Sequence, residues 1–378
     1  MIMRAIGLMS GTSMDGVDIA WLETDGERRL RFGATGFAPY REPDRALLRA
    51  ALAQAATLRD RAARPGVLAA ADAMVVARHA EAVAAFLRAN ALERETIDLV
   101  GFHGQTVVHA PERGLTVQIG DGAALARRLG APVAYDFRAG DVAAGGQGAP
   151  LTPVFHRALV EAAGLAGPVV VLNIGGVANM TVVTPGGDPI ACDTGPGNAL
   201  IDDLMLDRTG APLDRDGAAA AQGAVDQAAL ARLLDHPFFA TPPPKSLDRN
   251  AFSRDAVASL ATPDAAATLV AFTAETIARA VALLPARPRA IVVCGGGARN
   301  PTLIGAIAAR AGVAVTCADA YGWSADALEA QAFAYLAVRA ARGLPLTFPT
   351  TTGVARPTGG GVIVAPPHEA ARQHGERR

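Results

Sequence analysis

Residues 7–18 read GLMSGTSMDGVD and join two apolar runs, Met3 to Leu8 and Val17 to Leu22, near the start of the chain. Two β-type runs around a short Gly/Ser-rich connection predict a hairpin, and the residues of its turn suit phosphate. Gly11 and Gly16 let the backbone approach an anion and take φ > 0 where needed. Ser10, Thr12 and Ser13 add hydroxyl donors, and Asp15 and Asp18 offer carboxylates able to hold Mg²⁺ through water. Gly11, Thr12, Ser13, Met14, Asp15, Gly16, Val17 and Asp18 are therefore the expected nucleotide contacts. A Walker A loop is excluded, because its signature needs a lysine on the β/γ-phosphates and the only lysine in the chain is Lys245. What remains is a hairpin-type loop in which backbone N–H groups and a metal carry the phosphate charge. The competing reading is a Ser/Gly-rich surface turn.

The pattern recurs halfway along. Val169 to Ile174 is rich in β-branched residues, Gly175 and Gly176 make a turn, Asn179 to Val183 is a second run, and Pro189 to Cys192 lead into Asp193-Thr194-Gly195-Pro196-Gly197-Asn198. Two hairpins of like design predict a duplicated α/β fold with one glycine-rich clamp per lobe and a nucleotide in the cleft between them. Helical and strand-like segments alternate after each hairpin, which implies parallel sheet portions. The expected division is a first lobe over 1–139, a second over 140–354 and a segment 355–378 that returns to the first. The small-residue stretch Arg138 to Ala149 is the expected bend.

At 378 residues with 51% apolar residues and a net charge of −1, the chain is long enough for two cores and offers no basic surface for nucleic acid. Alanine-rich stretches such as Val67 to Asn90 are broken by Asp72, Arg78, Glu81 and Arg88, so no membrane span is expected. Met1 to Leu8 lacks the apolar region of a signal peptide. Cys192, Cys294 and Cys317 lack metal-ligand spacing and suit a reduced, cytoplasmic setting. A homodimer is a candidate assembly.

Four constellations carry chemistry. Asp193 stands just before the Gly195-Pro196-Gly197 turn, where a carboxylate can act as general base or meet a metal-bound phosphate. Asn198 is the expected N-cap of the following helix, whose dipole and free N–H groups face an anion. The doubled acids Asp202 and Asp203 read as a solvated helix face. Gly295, Gly296, Gly297 and Asn300, followed by Pro301, make a turn suited to adenine or ribose. A Rossmann reading with Asp319 as ribose acid is weakened by Asn300 at the third glycine position. His103, Gly104, Gln105 and Thr106 are expected in a loop after a strand ending at Phe102. Arg138 stands among Asp136 and Asp141, either in an ordinary ion pair or free to grip a substrate carboxylate. Glu329 is an acid among alanines, either exposed or aimed into a site.

With these residues in hand, GLMSGTSMDGVD, FHGQT, YDFRAGD, GGQGAPL, NIGGVAN, DTGPGN, GGGARN and LEAQAFA closely resemble the anhydro-N-acetylmuramic acid kinases, a family with the duplicated ribonuclease H-like fold of actin, hexokinase and Hsp70. The resemblance runs almost end to end, with Gln331 departing from the methionine expected there. It implies ATP- and Mg²⁺-dependent opening of 1,6-anhydro-N-acetylmuramic acid by water with phosphorylation of O6, in peptidoglycan recycling. It implies Asp193 as the base and Asp15 with Asp193 around Mg²⁺. Glu329, Arg138, Gln105 and His103 would meet the sugar, with Arg138 on its lactyl carboxylate. Gly175, Gly176, Asn179, Gly195, Gly197, Asn198, Gly295, Gly296, Gly297 and Asn300 would meet the nucleotide. The rival readings are a sugar kinase acting on a free hydroxyl and a non-enzymatic nucleotide clamp of the actin or Hsp70 kind.

Overall fold

The computed structural model describes residues 1–11, 13–247 and 251–367, so Thr12 of the first hairpin lies outside the described residues. The chain divides into two compact units, one of Met1–Ala158 with Ala327–Arg378 and one of Leu159–Asp326.

The first unit contains β1 (Met3–Ser10), β2 (Gly16–Thr24), β3 (Leu30–Pro39), β4 (Leu99–Ala110), β5 (Leu115–Ile119) and β6 (Val133–Tyr135). The second contains β7 (Val169–Ile174), β8 (Val177–Val183), β9 (Ile190–Pro196), β10 (Ala290–Cys294) and β11 (Ala314–Cys317), and β12 (Val362–Val364) returns to the first. In the first sheet β1, β2 and β3 form an antiparallel meander. β4 runs parallel to β1 and β6 parallel to β4, giving the order β12-β6-β4-β1-β2-β3 with β5 paired to β4. The second sheet repeats this: β7, β8 and β9 form the meander, with β10 parallel to β7 and β11 to β10. The second sheet's order of third, second, first, fourth, fifth strand is the ribonuclease H-like topology, and the first sheet repeats it with β6 in the fifth place, because β5 is an added hairpin strand on β4.

Strand composition follows from position. β7 (VVVLNI) is buried almost throughout, as expected of a central strand with neighbours on both sides. β3 alternates half-buried and exposed residues along LRFGATGFAP and lies at the sheet edge. Its glycines and scattered branching hide it from a sequence reading, and none was expected there. The helix Thr262–Ala282 is long and apolar enough to cross a membrane by length and composition, contrary to the expectation that no segment would be. Yet 78% of that window is buried, and the helix supplies much of the second unit's core.

The helix Leu328–Ala341 packs on β1, β2 and β4, and Val362–Val364 pairs antiparallel with Val133–Tyr135. Both therefore belong to the first unit, whereas the helix had been expected in the second lobe. The approach of helix to sheet is set by two glycines. A Cβ on Gly7 would lie 1.8 Å from the Ala330 carbonyl oxygen, and one on Gly101 would lie 2.1 Å from that of Phe333.

The glycine-rich stretch after Arg138 is not the expected bend. The chain leaves the first unit later, within the helix Pro153–Ala162. The buried Asp141 carboxylate accepts from the Gly148 N–H at 2.5 Å and from the Thr352 hydroxyl at 2.6 Å, and the Gln147 N–H donates to the Thr352 carbonyl. A Cβ on Gly146 would meet the Asp141 carboxylate at 2.2 Å. The small residues there make room for a buried carboxylate, and a segment tied down in this way is a poor hinge.

Candidate functional site

In the first unit, β1 and β2 pair as far as Met9 opposite Asp18, leaving a short loop that Tyr40 braces by donating its N–H to the Asp15 carbonyl. Ser13 Oγ donates to Asp15 Oδ1 at 2.7 Å, and both side chains are exposed. The left-handed backbone expected of Gly11 or Gly16 falls instead on Met14, at φ 53°. Gly16 is small for another reason, since a Cβ there would press on the Ala38 carbonyl at 2.4 Å. Gly11 has room: its nearest neighbour to a Cβ is Ser13 Oγ at 3.7 Å, and its N–H has no acceptor among the described residues. Gly11→Val should therefore fold normally while placing a β-branched side chain over the loop. ATP affinity is expected to fall by about 10-fold or more, and unchanged affinity by calorimetry in a folded variant would remove the loop from phosphate binding.

His103 and Gln105 are not in a loop. β4 continues through them to Ala110, with Gly104 at φ +72° and a register shift against β1. Both side chains are buried and committed to protein. Gln105 Oε1 accepts from Ser10 Oγ at 2.5 Å and its Nε2 donates to the Gly11 carbonyl at 3.0 Å, so it holds the root of the β1–β2 loop, and both ends of its amide are committed to protein. His103 likewise uses both ring nitrogens, as described below.

Arg138 donates from Nη1 to the Gly148 carbonyl at 2.9 Å and from Nη2 to His103 Nε2 at 3.2 Å. Its expected acidic neighbours are occupied elsewhere: Asp136 pairs with Arg61 at 2.6 Å, and Asp141 holds the Gly148 turn. Arg138 therefore has no carboxylate ion pair among the described residues, and the ordinary ion-pair reading fails. Burial lowers its pKa to about 10 against the opposing pull of Glu329 and Asp141. A half-buried cation without a paired anion is a candidate anion site. Glu329 lies in the first turn of Leu328–Ala341, exposed, with partial desolvation raising its carboxyl and Arg138 pulling it back. Two positions on, Gln331 is buried, with Oε1 lacking a partner among the described residues.

In the second unit Asp193 is within β9, which runs on to Pro196, and stands opposite Asn179 on β8. Its N–H donates to the Lys245 carbonyl at 2.9 Å, and its Oδ2 accepts from the Leu247 N–H at 2.6 Å. Burial pushes its pKa up to about 6, while the Leu247 N–H and Lys245 pull it down. The result is a carboxylate ionised at neutral pH, with one oxygen held and a proton affinity useful to a base. Lys245 is held by the Phe238 carbonyl at 2.8 Å and lies over the Phe238 ring at 4.4 Å. The sequence reading used Lys245 only to exclude a Walker loop. Its status as sole lysine, behind Pro242-Pro243-Pro244, was the signal that could have marked this strap along Asp193.

The clamp after Asp193 differs from expectation. The N–H groups of Gly197 and Asn198 donate to the carbonyls of Gly176 and Gly175 at 2.9 and 2.8 Å, so they are not free for an anion. Asn198 occupies the N-cap position of Ala199–Thr209 without a capping bond, and its Nδ2 donates to the Ile174 carbonyl. It is the Gly175 and Gly176 N–H groups that lack an acceptor among the described residues. Gly195 is closed in by helix Thr262–Ala282, where a Cβ would meet Thr276 Oγ1 at 2.7 Å.

Beside this turn a cavity of about 260 Å³ is lined by Asn198, Ile201, Asp202, Leu213, Asp214, Arg215, Asp216, Gly296, Arg299 and Asn300. The glycines on either side of Gly296 are closely packed: a Cβ on Gly295 (φ +77°) would meet Asn173 Oδ1 at 2.3 Å, and one on Gly297 would meet Ile174 at 2.4 Å. Asn300 caps Pro301–Ala311 by accepting from the Leu303 N–H at 3.0 Å. Asp202, read from sequence as a solvated face, is in the wall. The loop Leu213–Asp216 was missed, although its density of Gly, Pro and Asp was a visible signal. Asp214 fixes it by accepting from the Ala219 and Ala220 N–H groups, and Asp216 takes a left-handed φ of 56°. Among the described residues no group of three or more His, Cys, Asp and Glu could hold a metal.

The profile of the anhydro-N-acetylmuramic acid kinase family matches residues 3–366. The chain is 57% identical over 366 residues to the anhydro-N-acetylmuramic acid kinase of Nitrobacter winogradskyi, covering 97% of this chain and all of that one. It is 56% identical over 374 residues to the protein of that name from Methylobacterium nodulans, covering 96% of this chain and all of the relative. Among solved structures, the activator of 2-hydroxyisocaproyl-CoA dehydratase from Clostridium difficile covers 90% of this chain and 97% of its own at 12% identity and a TM-score of 0.43.

Proposed function

The chain belongs to the anhydro-N-acetylmuramic acid kinase family, and on that premise we propose that it converts 1,6-anhydro-N-acetylmuramic acid, ATP and water to N-acetylmuramic acid 6-phosphate and ADP. The observation that carries this reading is the full-length match at 57% identity. The chemistry has a physical logic. In the anhydro sugar O6 is tied to C1, so no free hydroxyl is present to attack ATP. A water must add to C1 as the C1–O6 bond breaks. Asp193 takes the proton from that water, the new C1–O bond forms, and O6 leaves carbon carrying the electron pair with which it attacks the γ-phosphorus. The bond from phosphorus to the ADP oxygen breaks. The Leu247 N–H fixes one Asp193 oxygen, and the other, which has no hydrogen-bond partner among the described residues, suits this task.

Phosphoryl transfer asks chiefly for positioning and charge neutralisation, which suits glycine-lined loops without a lysine. The Gly11–Asp18 loop and the Gly175 and Gly176 N–H groups are assigned to phosphates, and the cavity beside Gly296 and Asn300 to the nucleoside. Mg²⁺ would supply charge neutralisation when bound, and Asp15 with Asp193 are the residues that would hold it. Arg138 is assigned to the lactyl carboxylate that distinguishes muramic acid from glucosamine, and Glu329 to the sugar hydroxyls. The use of ATP assigns the reaction to the cytoplasm, in the recycling of peptidoglycan fragments.

Turnover in H₂¹⁸O decides between this reaction and phosphorylation of a free hydroxyl. The product is expected to carry solvent ¹⁸O at C1, with ADP release dependent on the anhydro sugar and abolished by EDTA. Product without label, or ATP turnover indifferent to sugar, would overturn the reading.

A further inference from the structure

His103 has a place in the first unit that neither its sequence context nor the proposed reaction accounts for. Its Nδ1 lies 3.1 Å from the Ser10 carbonyl and 2.9 Å from that of Gly104, and its Nε2 lies 3.2 Å from Arg138 Nη2. Carbonyls only accept and a guanidinium only donates, so these partners assign the proton to Nδ1 and the lone pair to Nε2. The ring is 5% exposed and packs against Phe333 with centroids 4.7 Å apart. Burial, with Arg138 adding, lowers its pKa to about 3, so it stays neutral at any ordinary assay pH. Ser10 is the last residue of β1, immediately before the phosphate loop, and its hydroxyl is tied through Gln105 to the Gly11 carbonyl. One imidazole thus bonds both to the root of that loop and to the unpaired cation.

We propose that His103 is a positioning residue that touches no substrate and sets the Arg138 guanidinium at a fixed place relative to the phosphate loop, so that the acceptor's carboxylate and the ATP phosphates are held in register. The inference rests on the assignment of Arg138 to the lactyl carboxylate.

Two substitutions separate the two ends of the ring. In His103→Gln the side-chain oxygen reaches the former Nε2 position and still accepts from Arg138, while the Ser10 carbonyl loses its donor. In His103→Asn the amide nitrogen reaches the former Nδ1 position and still donates to Ser10, while Arg138 is released. A hydrogen bond involving a charged group is expected to change affinity by about 10-fold. His103→Asn should therefore raise KM for 1,6-anhydro-N-acetylmuramic acid about 10-fold with KM for ATP nearly unchanged, and His103→Gln should do the reverse. Equal rises in both KM values for both variants, or no change in either, would overturn the proposal. The unmutated protein gives a check that does not depend on variants folding. Its ¹⁵N-labelled histidine spectrum should show His103 as the Nδ1–H tautomer at neutral pH, and an Nε2–H tautomer would sink the idea. Arg138→Lys tests the underlying assignment separately. It should raise KM for the muramic acid substrate and not for 1,6-anhydro-N-acetylglucosamine, which lacks the lactyl group. An equal effect on both sugars would remove Arg138 from the carboxylate, whatever the His103 pair shows.

Discussion

Asp193→Asn is expected to lower turnover by at least about 10²-fold, equivalent to about 2.7 kcal/mol of transition-state stabilisation, while leaving ATP binding nearly intact. The substitution is close in shape and the site should not collapse. The Leu247 N–H that now donates to Oδ2 needs an acceptor, so the asparagine must turn its carbonyl oxygen toward Leu247. That leaves an NH₂ group, a donor with no useful basicity, where the other carboxylate oxygen stood. A folded variant that keeps more than about a third of wild-type turnover would end the assignment of Asp193 as base, since a positioned base contributes 10²–10⁴. Calorimetric ATP affinity measured on the same variant separates loss of the base from loss of the nucleotide.

The second large effect concerns stability. Gly7→Ala adds a single methyl group, yet its Cβ would lie 1.8 Å from the Ala330 carbonyl oxygen and 2.6 Å from the Ala334 nitrogen, both backbone atoms of Leu328–Ala341. No rotamer change relieves a clash with backbone, so the helix must lift off β1. A destabilisation of about 3 kcal/mol or more is expected, at the upper end of what overpacking a core usually costs. Gly305→Ala is the control, because nothing lies within 4 Å of a Cβ there and the residue is inside the helix Pro301–Ala311. It should be neutral or stabilising by about 0.5–1 kcal/mol. Thermal melts of the two variants beside wild type check this, and a Gly7→Ala curve superimposed on wild type would show that the helix is not seated as described. Because Glu329 rides on the same helix, its proposed assignment to the sugar predicts that the variant also loses sugar affinity before it unfolds globally.

What could be read from the chain alone was whatever depends on neighbours along it. The first hairpin, the absence of a P-loop lysine, the second hairpin leading to Asp193, the alternation of strands with helices and the Asn300-Pro301 helix start are all local, because periodicity, turn chemistry and N-terminal helix signals act within a few residues. The family motifs were legible for the same reason, since each is a short run around one turn.

The fate of each polar group required the tertiary structure. Whether a backbone N–H is free for phosphate depends on which distant carbonyl reaches it first. The N–H groups of Gly197 and Asn198 are taken by Gly176 and Gly175, while those of the latter pair have no acceptor among the described residues. His103 and Gln105 looked like substrate contacts because they are polar residues after an apolar run. A strand that continues past Phe102 turns them inward onto Ser10, Gly11 and Arg138. Asp136 and Asp141 looked like partners for Arg138 because they are adjacent in sequence, but Arg61 and the Gly148 turn claim them first. The helix Leu328–Ala341 joins the first unit because Gly7 and Gly101, far away in sequence, leave it a place to pack. In each case the sequence determined which groups were available, and long-range packing decided which partner satisfied them, because a buried donor, acceptor or charge must be paired and the nearest partner in space need not be near along the chain.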